Sequence, residues 1–232
     1  MPGLIAVAQS KTGSVENLLA LQTGDLESAL VFADMVYWSY MGRGPYKAIG
    51  PDDDLRVVAN LSPVKAHIIV RADSDIRQVG DLAGKRISVG APGSGIGHTA
   101  LALLKAHHLD LTSIATTYMK PGPATDALAD GNIDAVILFG QEPVAAVQDL
   151  NRRMDIRFLP IHDNPLRFMS RLYPFITKTE IAKDVYRGIN SFQTVSLGVQ
   201  WVVHKDADKK LVEQITRAFW QGQTRDLFQR NN

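Results

Sequence analysis

Between Arg86 and Leu109 the chain reads RISVGAPGSGIGHTALALLKAHHL: an apolar run stops at a glycine, four glycines crowd into eight residues, and a helix begins. Such a loop could grip a nucleotide phosphate, present a nucleophile, or hold something smaller. A phosphate-gripping loop places Lys and then Ser or Thr after its last glycine. Gly90 and Gly95 have that separation, but Ile96 and Gly97 follow. A dinucleotide fingerprint through Gly93 and Gly95 needs glycine where His98 stands. A nucleophile elbow around Ser94 needs glycine on both sides at a distance of two, and Pro92 and Ile96 occupy those places. What survives is backbone physics. A loop opening a helix offers unpaired N–H groups and the positive end of the helix dipole, enough to bind an anion without a catalytic residue. The same glycines also suit a tight strand-to-helix turn on steric grounds alone.

Other reactive residues add little chemistry. His107 and His108 sit near a helix C-terminus, where a dipole interaction is the ordinary role. His67, His98, His162 and His204 lack metal-ligand spacing, and His98 falls in a first helical turn. Cysteine is absent, which excludes disulfides, thiolate catalysis and cysteine metal sites. No Ser/His/Asp set stands out, and no cofactor is expected. With 25 basic against 24 acidic residues, nothing points to nucleic acid or a membrane surface as partner. No apolar run approaches the roughly 18 residues of a membrane span. The opening Met1-Pro2-Gly3-Leu4-Ile5 shows no signal peptide, so the chain is either cytoplasmic or trimmed.

Several elements must hold the loop. NLLALQTGDLESALVFAD (Asn17–Asp34) and ATDALADGNIDAVILFGQ (Ala124–Gln141) superpose at Gly24 and Gly131. Each reads as a short amphipathic helix, a C-cap glycine and a buried parallel strand closed by a polar residue, Asp34 or Gln141. Two such units predict two similar lobes. Strands are expected at Val57–Leu61 and Ala66–Asp73, within VGDLAGKRISVGA, ATTYMK and IRFLPI, and along Thr194–Asp206; Leu211, Ile215, Ala218 and Phe219 then share one helical face. The alternation argues for an α/β chain with mostly parallel sheets. Lobe crossings are expected near Ile69–Asp73 and Arg187–Thr194, giving lobe 1 from residues 1–69 and 190–232 and lobe 2 from residues 70–189. The strand ends at Asp34, Gly90–Gly97 and Phe139–Gln141 then face a cleft between the lobes.

TGSVENLLALQTGDLESALVFADMVYWSYMGRGPY (Thr12–Tyr46), DLAGKRISVGAPGSG (Asp81–Gly95), DALADGNIDAVIL (Asp126–Leu138) and YPF (Tyr173–Phe175) resemble the TAXI family, the extracytoplasmic solute receptors of tripartite ATP-independent periplasmic (TRAP) transporters. The resemblance runs over nearly the whole chain. It implies a two-lobed type II periplasmic-binding-protein fold that captures a small organic anion of the glutamate, glutamine, 2-oxoglutarate or dicarboxylate type. It also implies a periplasmic location and membrane subunits driven by an ion gradient. Family members open with a strand, a glycine-rich loop and a helix, whereas MPGLIAVAQSK alone precedes the match here, so that first unit is expected to be missing, with a strand at Leu4–Ala8. After Gly-Ser-Gly the family has Thr-Glu; Ile96-Gly97 stands here.

The family match assigns Gly93, Ser94 and Gly95 to a ligand carboxylate. Thr12, Ser14 and Asn17 open the first helix, Ser14 reading equally as its N-cap. Asp34 reads as a helix cap or a ligand contact, and Tyr37 as a contact. Gln141 and Tyr173 are polar tips at the cleft or surface residues, and Tyr118 lines the cleft wall. An enzyme on the same fold and a cytoplasmic ligand-sensing domain stand as alternatives to the receptor.

Overall fold

The computed structural model describes residues 7–221. In chain order the elements are α1 (Ser14–Gln22), β1 (Ser28–Phe32), α2 (Ala33–Met41), β2 (Leu55–Asn60), β3 (Val64–Arg71), β4 (Arg86–Ser88) and α3 (Ile96–Ala106). Then come β5 (Ala115–Thr117), α4 (Pro121–Ala129), β6 (Ala135–Gly140), α5 (Ala145–Arg153), β7 (Ile156–Phe158) and α6 (Asp163–Leu172). The chain finishes with β8 (Thr177–Ile181), β9 (Phe192–Leu197), β10 (Val199–His204) and α7 (Lys209–Phe219). Most of the expected Leu4–Ala8 strand lies outside the described residues; Val7 and Ala8 carry no regular structure.

These elements build two sheets. The smaller runs β1-β10-β2 and the larger β5-β4-β6-β3-β9-β8, with β7 also paired to β3. The expectation of mostly parallel sheets is corrected: β4 runs parallel to β5 and β6, and the other pairings are antiparallel. The reason is connectivity. Crossover helices α3 and α4 make β4, β5 and β6 parallel neighbours, while β3 pairs with strands that arrive much later in the chain and run the other way (β6, β7 and β9), and β8 turns back onto β9 through residues 182–191.

The crossings also lie elsewhere than expected. β3 and β9 sit wholly in the larger sheet, so the chain changes sheets between Asn60 and Val64 and again at Gly198. Thr194–Asp206 is therefore not one strand but two, β9 and β10, in different sheets. Gly198 permits the break: a Cβ there would lie 2.4 Å from Asn60 Oδ1, where the two crossing segments touch. The larger sheet is covered on both faces. Ile68 and Val70 pack with Leu103 and Leu104 of α3, whereas Ile69 points the other way onto Leu128 of α4 and Leu150 of α5. That double burial explains the unbroken apolar run of β3.

Candidate functional site

β4 and β6 pair in parallel at Ile87–Ala135 and Ser88–Val136, and then part. β4 gives way to the glycine loop while β6 runs on to Gly140. The helix after β4, α3, packs on one face of the sheet; the helix after β6, α5, packs on the other. Neighbouring strands whose helices leave to opposite faces open a crevice at their carboxyl ends, the usual ligand position in such sheets. A cavity of about 60 Å³ lies there, with Ser88, Gly90, Ser94, Met119, Ala124 and Phe139 among its walls. The Ser94 hydroxyl donates to the Ala91 carbonyl at 2.7 Å, and the Ser94 N–H donates to the same oxygen at 3.2 Å, closing the loop on itself. Gly95 caps α3 with φ +81°, a left-handed conformation that favours glycine. Behind it, the first-turn N–H groups of Ile96 and Gly97 have no acceptor within the helix.

The smaller sheet's lobe roofs this loop. A Cβ at Gly13 would lie 2.6 Å from Ser94 Cα, so the chain entering α1 rests directly on the glycine loop; Thr12 brings its methyl beside Gly93. Met35 of α2 covers Gly95, where an added Cβ would meet the sulfur at 2.3 Å, and the Tyr118 ring covers Gly97 at 2.7 Å. Next to Met35, Asp34 is fully buried and accepts a hydrogen bond from the Thr99 hydroxyl of α3. This pair joins a helix of one lobe to a helix of the other. Burial pushes the Asp34 carboxyl up to about 6, against the lowering effect of the Thr99 hydroxyl and the Met35 N–H at 2.7 Å. Tyr46, buried alongside, is pushed up to about 12 by burial and then by the charges of Asp34 and Asp52. Asp34 is not a helix cap: Phe32 holds that position and Asp34 sits in the first turn.

A family model described as NMT1-like matches residues 3–229. The chain belongs to the NMT1-like family. By structure, the NMT1-like chain is similar to the periplasmic aliphatic sulphonate binding protein SsuA from Escherichia coli, with TM-score 0.52 and 20% identity over 91% of this chain and 57% of that one. A periplasmic sulfonate-binding protein SsuA from Methylobacillus flagellatus gives 0.52 and 13%, over 91% and 55%. The arginine-bound amino acid ABC transporter substrate-binding protein AbpA from Streptococcus pneumoniae gives 0.50 and 17%, over 94% and 72%. The chain thus spans less than two thirds of both sulfonate-binding proteins. At these identities the likeness establishes the fold, the two-lobed periplasmic-binding-protein architecture.

Within this NMT1-like chain the remaining sequence candidates fall away from the crevice. Ser14 does not cap α1, which begins from Gly13. Instead its Oγ accepts the Phe32 N–H at 3.0 Å, while the Asn17 amide donates to the Leu30 carbonyl at 2.8 Å. Both side chains thereby satisfy the outer edge of β1, the side away from β10, as an unpaired edge requires. Tyr37 and Tyr173 join an aromatic cluster with Trp38 and Phe175: Tyr37–Phe175 at 5.4 Å, Tyr173–Phe175 at 5.5 Å and Trp38–Tyr173 at 6.2 Å. His98 closes that cluster against Trp38 at 5.8 Å. Gln141 is exposed past the end of β6, and the cavity wall stops at Phe139. Thr12, Gly93, Ser94, Gly95 and Tyr118 are the sequence candidates that gather at the loop, with Asp34 just behind it. Ser88, Met35 and Thr99 were not foreseen. Ser88 alone left a trace, a lone hydroxyl in an otherwise apolar strand end. Among the described residues no helix is long and apolar enough to cross a membrane, and no cluster of side chains could hold a metal ion.

Proposed function

We propose that the chain is an extracytoplasmic solute receptor. It takes a small organic anion at the β4–β6 crevice and hands it to membrane transporter subunits, without chemistry of its own. The observation that carries this reading is the glycine loop at the start of α3, set at a strand-order switch and roofed by the other lobe. Gly93, Ser94 and Gly95 are the proposed anion contacts, with Thr12 and Tyr118 at the rim. The donors are backbone N–H groups of the loop and of the first turn of α3, with the Thr12 and Tyr118 hydroxyls at the rim, since the Ser94 N–H and hydroxyl both turn onto the Ala91 carbonyl; such groups bind charge and supply no acid–base pair. The sequence resemblance to TAXI receptors supports an ion-gradient-driven TRAP transporter as the acceptor and a periplasmic location. The fold relatives named for sulfonates and for an ABC transporter make the ABC class the competing acceptor.

A thermal-shift screen with carboxylates, sulfonates and amino acids tests the capture step, because a ligand bound by the folded form alone raises the melting temperature by mass action. At least one anion is expected to raise it in proportion to the logarithm of its concentration; silence across the panel with folded protein sinks the reading. Binding of the loaded receptor to solubilised TRAP and ABC membrane subunits then separates the two acceptors.

A further inference from the structure

The cavity beneath the glycine loop has a chemical character of its own. Its walls are built from Ser88, Ala91, Met119, Ala124 and the end of β6, and none of its lining residues is charged. The Ser88 side chain is completely buried, yet its Oγ has no hydrogen-bond partner. A buried hydroxyl without a partner is costly and calls for one. At about 60 Å³ the cavity has room for about two waters, or for a group of about two or three non-hydrogen atoms. Its outer side is marked by half-buried Ala91 and Met119 and exposed Pro121, beside the loop that opens α3.

We propose that this cavity receives the uncharged end of the captured solute, a short group whose single hydrogen-bonding atom meets Ser88 Oγ while the anionic end stays at the start of α3. The assignment rests on the receptor reading above and narrows it to short monoanions bearing one hydroxyl or keto group. A second carboxylate inside would be a buried charge with no cation among the walls, which is prohibitive. Lys120, which stands between the lining residues Met119 and Pro121, is exposed and is not part of the wall. Dicarboxylates and glutamate are thereby disfavoured.

Calorimetry on the full chain tests this with propionate, lactate, butyrate and succinate as probes. Lactate is expected to bind more tightly than propionate, and succinate at least tenfold more weakly than butyrate. Ser88→Ala is expected to lower lactate affinity about tenfold, leave propionate unchanged, and raise the melting temperature of the unliganded protein by removing the unpaired hydroxyl. Ala124→Val, which fills the cavity, is expected to weaken all three monoanions together. Succinate binding as tightly as butyrate, or lactate affinity indifferent to both variants, overturns this assignment while leaving the receptor reading intact. So does a crystal structure in which the solute sits outside and ordered waters alone fill the cavity. Silence across monoanions and dicarboxylates alike overturns both.

Discussion

The two sheets solve the same burial problem with unequal success. In β3 of the larger sheet Ala66, Ile68, Ile69 and Val70 are at most 1% exposed, because helices cover both faces. In β1 of the smaller sheet Ala29 and Val31 are buried under α1 and α2, while Leu30 on the opposite face is 52% exposed. The helix on that opposite face, α7, meets the sheet through Trp201 and Phe219 at 5.7 Å, yet buries no residue fully. Hydrophobic stabilisation scales with area removed from water, so the larger sheet is the stable unit and the smaller one depends on its junction with it. The candidate site sits at that junction, where Gly13 rests on the glycine loop and Asp34 meets Thr99.

The largest test of this contrast is a pair of truncations. Ile69→Ala is expected to cost about 3–4 kcal/mol, against less than about 0.5 kcal/mol for Leu30→Ala, as read by denaturant unfolding. Equal costs would erase the difference between the sheets.

Titration sharpens it next, because the two regions respond to acid with opposite signs. His67 of β3 is buried and neutral. Its Nδ1–H donates to the Lys65 carbonyl at 2.9 Å and its Nε2 accepts from Tyr186 at 2.8 Å; burial lowers its pKa to about 4. A lowered histidine pKa means the folded form binds fewer protons, so this stability is lost as pH falls from about 6.5 towards 4. Asp34 is the reverse: its raised pKa means the folded form binds more protons, so stability at the junction falls as pH rises from 3.8 to about 6. Asp34→Asn should therefore stabilise the protein at pH 7 by about 1–3 kcal/mol and do nothing at pH 3. A gain that persists at pH 3 would show that the carboxylate charge is not its source.

Gly95 probes the contact itself. Gly95→Ala places a Cβ against Met35 and forces an L side chain to φ +81°, at a combined cost of about 2 kcal/mol in melting experiments. In a Met35→Ala background, itself destabilised by the loss of a buried side chain, the added cost of Gly95→Ala should fall to the backbone part alone. An unchanged cost for Gly95→Ala in the two backgrounds would mean that Met35 does not rest on the loop in solution.

The smallest effect belongs to α7. Ile215→Ser is expected to cost no more than about 1 kcal/mol, with faster hydrogen exchange confined to α7 and β10. Exchange spreading through β3 and β6 would join the two sheets into one cooperative unit.

Much of this was legible in the residues. The left-handed glycines just past α1 and α4, Gly24 and Gly131 (one residue beyond the C-caps Thr23 and Asp130), the apolar runs of β1, β3 and β6, and the amphipathic face of α7 all obey local rules of period and turn chemistry. Local rules also singled out the loop from Gly90 to Gly95 and ruled out the nucleotide and nucleophile readings. Sheet membership did not follow locally. An apolar run such as Thr194–Asp206 carries no sign of which partner each half will pair with, so the break at Gly198 is set by Asn60, more than a hundred residues away. Side-chain roles failed for the same reason. Ser14 and Asn17 look like helix-start residues until the edge of β1 arrives beside them, and Asp34 looks like a cap until Thr99 does. Sequence determines what each segment can do with its own neighbours. The tertiary structure alone decides which hydroxyl, such as that of Ser88, ends buried without a partner, because burial is a property of the assembled fold.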